Sequence, residues 1–268
     1  MHTYHGIDAP TREFYRTTLQ QLLDEGIPFI VGGGYALRHY TRIERELKDL
    51  DLFVRRADFP RLQTALHAKG MTAELTFPHW LGKAKSAAGF IDVIFSSGNG
   101  IAAVDDEWFT NARRARVLGI DVCLAPPEEI IWSKAFIMER ERFDGADILH
   151  LLQTEGEKLD WDRLLRRFDM HWRVLLAHLT IFGFVYPCDR ALIPARVMHL
   201  LTDRLRGETE RSERGDLPAE RICQGTLLSR AQYQVDIDDW RYQDARLKEP
   251  VNMTQEHITR WTSAIGEE

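Results

Sequence analysis

The stretch Lys48-Asp49-Leu50-Asp51-Leu52-Phe53-Val54 sets two acidic residues, one position apart, into an otherwise apolar and β-prone run. Side chains on a strand point alternately to opposite faces, so Asp49 and Asp51 share one face while Leu50 and Leu52 take the other. A chain carrying this pattern needs a sheet with a buried leucine side and a side where charge is tolerated. Two carboxylates this close repel, and one takes up a proton unless a cation lies between them. A divalent metal is the usual such cation. A third acid, Asp92, stands in Gly89-Phe90-Ile91-Asp92-Val93-Ile94-Phe95, where its neighbours are apolar and an ionised carboxylate is costly without a partner. If the two strands are neighbours, Asp49, Asp51 and Asp92 share one site fit for one or two magnesium ions.

A second feature precedes these acids. Phe29-Ile30-Val31 reads as a short strand, Gly32-Gly33-Gly34 as a turn, and Tyr35 to Tyr40 as the start of a helix. Glycine N–H groups at the positive end of a helix can approach phosphate oxygens with no side chain in the way. The spacing matches neither the dinucleotide-binding G-x-G-x-x-G pattern nor a Walker A loop.

Around this core, helices are expected over Phe14 to Leu23 and from an N-cap at Asp58 through Leu66, and strands over Thr72 to Phe77 and Phe90 to Phe95. That gives a sheet of about four or five strands. From Pro126 the pattern turns helical over Glu128 to Glu141, Gly145 to Gln153, Trp161 to Phe168, Trp172 to Val185 and Pro194 to Arg206. The fold class is therefore α/β (α+β): a small mixed sheet flanked by helices, with a mainly helical C-terminal region. The expected organisation is a core over 1–125, a helical region packed on it over 126–206, and a charged linker with a C-terminal extension over 207–268.

At 268 residues the chain can bury a core without disulfide or metal staples, and its three cysteines fit reduced, packed thiols. The net charge of −6 argues against a general nucleic-acid coat, and no DNA partner is expected. The longest apolar run, Val174 to Tyr186, is too short for a bilayer span and the amino end lacks a signal-peptide pattern. A soluble, cytoplasmic protein without a membrane partner is the expectation.

The order strand, glycine turn, helix, Asp-x-Asp strand and later Asp strand resembles the nucleotidyltransferase superfamily typified by DNA polymerase beta and the small bacterial nucleotidyltransferases. The residues that carry the resemblance are Gly33-Gly34-Tyr35-Ala36-Leu37, then Arg45-x-x-Lys48-Asp49-Leu50-Asp51-Leu52-Phe53-Val54, then Ile91-Asp92-Val93-Ile94. Farther along, Pro127-Glu128-Glu129-Ile130-Ile131-Trp132-Ser133-Lys134 and Glu139-Arg140-x-Arg142-x-Asp144-x-x-Asp147-Ile148 are similar to the helical continuation of antitoxin-regulated and abortive-infection (AbiEii-like) members. The resemblance spans about residues 25 to 155. It implies that Asp49 and Asp51 hold Mg²⁺ against nucleotide phosphates, that Asp92 completes a second metal site and helps deprotonate an acceptor hydroxyl, and that Gly33 and Gly34 cradle the β- and γ-phosphates. Lys48, within the motif, and Lys134 are the candidate cationic nucleotide contacts. The implied reaction transfers a nucleoside monophosphate from an NTP to an acceptor hydroxyl on a small molecule, tRNA or protein, releasing pyrophosphate. Two positions depart from the family pattern: Gly34 stands where many members carry Ser, and Leu47 where related sequences often place Thr. The competing class is a non-catalytic nucleotide-binding module or toxin-antitoxin component with the same fold.

Other residues carry two readings each. Lys134 either snorkels to solvent or points at a triphosphate. Arg140, Arg142, Asp144 and Asp147 suit an ion-pair network, and Lys83 and Lys85 are exposed hairpin lysines or steer an anionic substrate. His79-Trp80 is a packed loop anchor or stacks on a base. Arg163, Arg166, Arg167 and Arg173 form a solvated helix surface or, for a tRNA acceptor, a basic face.

Overall fold

The computed structural model describes residues 7–47 and 49–264, so Lys48 lies outside the described residues. The chain divides into two compact units, Met1–Pro126 together with Met253–Glu268, and Pro127–Asn252.

The first unit opens with α1 (Ala9–Asp24), whose N-cap Asp8 accepts from Thr11 N–H at 2.8 Å with Pro10 in the first turn, and which buries Phe14, Tyr15, Leu19 and Leu22. β1 (Ile30–Val31) leads into α2 (Gly33–Thr41) and β2 (Asp51–Phe53). α3 (Phe59–His67), β3 (Thr72–Phe77), β4 (Leu81–Ser86), β5 (Gly89–Ile94), α4 (Asp106–Thr110), β6 (Arg113–Val117) and β7 (Ile120–Leu124) follow. The seven strands form one sheet in the order β3-β4-β5-β2-β1-β7-β6. β2 lies parallel to β5 and β1 parallel to β7, while the other pairs are antiparallel. Leu52, Ala84, Ile91 and Val93 are buried on one face of the sheet. The alternating positions Lys83, Lys85, Phe90, Asp92 and Asp51 lie on the other.

Three of the seven strands are not among those expected, each for a physical reason. β4 reads Leu-Gly-Lys-Ala-Lys-Ser, so only Gly82 and Ala84 fill its interior positions and no large apolar alternation marks it. β6 and β7 form a hairpin whose outward positions are arginines and an aspartate, closed by Leu118 and Gly119 at φ +51° and +83°. Residues Gln255–Ser263, here α11, also belong to this unit: Trp261 packs where a side chain on Gly98 would sit, and His79 stacks on His257 at 5.1 Å between ring centroids. The C-terminal extension of 207–268 is thus not one segment.

The second unit is mainly helical, with α5 (Pro127–Lys134), α6 (Gly145–Glu155), α7 (Trp161–Phe168), α8 (Trp172–Val185), α9 (Ala195–Glu213) and the short α10 (Gln234–Asp238). A two-stranded parallel pair, β8 (Ile222–Cys223) and β9 (Gln243–Asp244), completes it. α5 ends at Lys134 rather than running to Glu141, and Met138 bridges to Phe143 across a tight hairpin. α9 extends past Arg206 through residues read as linker, because Arg, Glu and Thr favour or tolerate a helix without supplying an apolar period. Arg173 on α8 pairs with Glu208 on α9 at 2.6 Å. Cys188 is exposed, against the expectation of packed thiols, while Cys123 and Cys223 are half-buried and all three are free.

Among the described residues no helix is long and apolar enough to cross a membrane. The fold is α/β, with a mixed, mostly antiparallel sheet flanked by helices and a helical C-terminal region.

Candidate active site

Asp51 opens β2, and the parallel register sets it directly beside Asp92 on β5. The Asp92 N–H donates to Leu50 O at 3.0 Å, and the Gly32 N–H donates to Asp51 O at 3.0 Å, which ties the two strands to the glycine turn. Registered residues of parallel strands point to the same face, and Asp49 sits one alternation before Asp51. Carboxylate oxygens of Asp49, Asp51 and Asp92 accordingly lie within 4.8 Å of one another, each side chain half-buried. Their combined charge is felt by Tyr15 on α1. Burial first, and then the charges of Asp49, Asp92 and Asp51, push its hydroxyl up to about 12.

The glycine turn serves this cluster before it serves any ligand. Gly33, at the first position of α2, has φ +50°, and a Cβ there would overlap the Asp51 carboxylate. Only glycine therefore lets Asp51 seat against the helix start, where the positive end of the helix favours its charge. A Cβ on Gly32 would overlap the Phe53 ring, and one on Gly34 would lie 2.7 Å from Leu47 Cδ2. Gly34 and Leu47 are thus one feature: Leu47, buried, occupies the space a side chain at 34 would need. The N–H groups of Gly33 and Gly34 lie in the first turn of α2, where helix geometry gives them no carbonyl of their own helix.

Three carboxylates so placed are the hard oxygen donors that Mg²⁺ prefers. A cation already at the cluster, among the described residues, is Lys83. Its Nζ lies 3.5 Å from Asp92 Oδ1 and 4.5 Å from the centroid of the Phe90 ring. Lys83 and Lys85 are therefore not equivalent, because Lys85 turns outward to Glu74 at 2.5 Å. The sequence signal was present in the alternation of Lys83 and Lys85 opposite Asp92 and Phe90, but it has meaning only once β4 is recognised as a strand.

The remaining candidates have partners of their own. Lys134, at the end of α5, pairs with Asp144 at 2.5 Å and Asp147 at 2.9 Å inside the second unit, and Arg142 pairs with Asp144 at 3.1 Å. His79 donates from Nε2 to Gly98 O at 3.0 Å and packs with His257 and Trp261, as a loop anchor would. Burial above all lowers its pKa to about 4. Of the four arginines read as either a solvated surface or a basic face, Arg163 and Arg167 pair with Glu128 and Glu129, at 2.5 Å and 3.2 Å respectively, and Arg173 pairs with Glu208. The i, i+4 spacing of Arg163 and Arg167 turns them inward toward α5 rather than out to solvent.

No protein-family model matches the chain, and no curated protein matches it. Among solved structures, the solution structure of the antibiotic-resistance factor ANT(2'')-Ia is similar at 17% identity with a TM-score of 0.45, over 64% of this chain and 98% of its own. The crystal structure of ANT(2'')-Ia in complex with adenylyl-2''-tobramycin is similar at 15% identity and a TM-score of 0.45, over 60% and 97%. The lincomycin-bound lincosamide antibiotic adenylyltransferase LnuA is similar at 14% identity and a TM-score of 0.38, over 55% and 98%.

Proposed function

We propose that the protein is a Mg²⁺-dependent nucleotidyltransferase that moves a nucleoside monophosphate from an NTP to an acceptor hydroxyl, with release of pyrophosphate. The observation that carries this reading is the meeting of Asp49, Asp51 and Asp92 within 4.8 Å at the start of the glycine-turn helix. Acidic clusters are common on surfaces, but this one is built by strand register and by a glycine whose Cβ would collide with one of its members.

In this reading Asp49 and Asp51 would hold a metal ion for the nucleotide phosphates, and Asp92 would join them in holding a second. Such ions neutralise phosphate charge and lower the pKa of a bound hydroxyl. The chain's own groups do the rest. The N–H groups of Gly33 and Gly34 bind non-bridging phosphate oxygens at the positive end of α2. Asp92 takes the proton of the acceptor hydroxyl as its oxygen attacks the α-phosphorus, and the bond to the pyrophosphate oxygen breaks on the opposite side. No covalent enzyme intermediate is needed.

Small molecules, RNA and proteins all remain as acceptor classes, with RNA disfavoured by the pairing of Arg163 and Arg167 with Glu128 and Glu129. The test is incubation with each α-labelled NTP and Mg²⁺, with a metabolite extract, total RNA or total protein as acceptor, comparing wild type with Asp51→Asn. Label transfer lost in the variant supports the reading and names the acceptor class. Nucleotide binding without transfer to any acceptor, unchanged by Asp51→Asn, would overturn it in favour of a binding module.

A further inference from the structure

The described structure places a cation of the chain's own against one of the three carboxylates, and nothing in the reaction outlined above uses it. Lys83 stands directly opposite Asp92 in the antiparallel β4–β5 pair, so both side chains leave the sheet on the same face. Its ammonium is held in place twice, by Asp92 Oδ1 at 3.5 Å and by the Phe90 ring beneath it at 4.5 Å. At 3.5 Å the contact to Asp92 is an ion pair rather than a tight hydrogen bond, and the Lys83 side chain is 30% exposed. It is therefore able to move away without unfolding anything. The Asp92 side chain is the more enclosed partner at 16%, and its Oδ1 is buried.

We propose that Lys83 is the resident counter-cation of Asp92 and competes with a divalent ion for the third carboxylate. The inference rests on the metal-dependent reading of the trio and adds to it a residue with a defined effect. A metal ion held by these carboxylates would lie about 2 Å from their oxygens. That is within several ångströms of the Lys83 ammonium, where like charges repel. With Lys83 in place, Asp49 and Asp51 are the stronger ligands and Asp92 is engaged only by a species that outcompetes the ammonium. Removing the charge while keeping the aliphatic stem over Phe90 makes the free site a better trap for a bare ion. A residue that merely stabilised β4 would have the opposite effect on metal affinity when replaced.

The experiment titrates the full-length protein with Mn²⁺ alone, without nucleotide, following free Mn²⁺ by electron paramagnetic resonance and heats by calorimetry. Wild type, Lys83→Met, Lys83→Arg, Lys85→Met and Asp51→Asn are compared. Lys83→Met is expected to bind Mn²⁺ about tenfold more tightly than wild type, or to bind an additional ion. Lys83→Arg, which keeps the charge, and Lys85→Met, whose lysine pairs with Glu74, are expected to match wild type. An affinity for Lys83→Met equal to or weaker than that of wild type overturns the role of Lys83 and leaves the metal reading intact. Mn²⁺ binding absent from both wild type and Lys83→Met, or unchanged in Asp51→Asn, overturns the metal reading itself and the role of Lys83 with it. Because the predicted change is a gain, loss of folding cannot imitate it.

Discussion

A methyl group at position 33 would enter the space of the Asp51 carboxylate, on a backbone whose φ of +50° already disfavours every L-residue. Gly33→Ala is expected to cost about 1–2 kcal/mol from conformation alone. It should also push Asp51 out of the cluster, so Mn²⁺ affinity falls by more than the loss of stability accounts for. Thermal melting paired with a Mn²⁺ titration checks this, and a variant with normal metal affinity would show that Asp51 does not depend on the glycine. Position 34 has a different neighbour. Leu47 fills its space, so Gly34→Ala and Leu47→Ala should couple by about 1 kcal/mol in a double-mutant cycle, the pair being less harmful than the singles suggest. The sequence shows these glycines clearly and points to a tight approach by something. That the first visitor is the chain's own carboxylate was not legible, because Asp51 reaches Gly33 only through the β1–β2 pairing.

At the scale of elements, large apolar residues made the sequence readable and small ones hid it. β2 and β5, with Leu52, Ile91 and Val93 facing the core, were expected where they occur, and their adjacency is what unites the three acids. β4 was hidden by Gly82 and Ala84, and with it the position of Lys83. Lys134 shows the opposite limit: its apolar neighbours on α5 left its direction open, and only the fold reveals Asp144 and Asp147 around it. Burial pushes the Asp144 carboxyl up, but Lys134 and Arg142 outweigh it and hold the group below the usual carboxylate range. A depressed folded pKa means that this contribution to stability is present above the ordinary carboxylate pKa and is lost as pH falls through the depressed value. Asp144→Ala, which leaves Lys134 with Asp147 alone, should cost about 3 kcal/mol and flatten the acid end of the stability profile. Lys134→Met should lower the melting temperature while leaving the KM for NTP within about twofold. A KM raised tenfold or more would instead return Lys134 to the nucleotide.

For the whole molecule, acid sensitivity is set by groups in both units that resist taking a charge when folded. Burial lowers the pKa of His79 to about 4, and burial also lowers those of His171 and His178 despite Asp169 near the first and the Ala135 carbonyl bonded to the second. In the unfolded chain all three bind protons near pH 6.5. Between that value and their folded values the unfolded state holds more protons, so stability rises with pH across this window and falls on acidification. Glu129 works against this trend. Its burial, only partly offset by Arg163 and Arg167, pushes its carboxyl up to about 7, so its contribution is full below the ordinary carboxylate pKa and is lost as pH rises toward and through about 7. Three histidines against one glutamate give a net loss of stability from pH 6.5 toward pH 4. His79→Gln, whose amide keeps a donor for the Gly98 carbonyl, removes the largest single histidine contribution and should make the slope shallower. Glu129→Gln should make it steeper, since it deletes a group that opposes the histidines. Urea unfolding at half-unit steps across this range reads both slopes, and a wild-type stability that rises on acidification would show that the buried acid, not the buried histidines, governs the molecule.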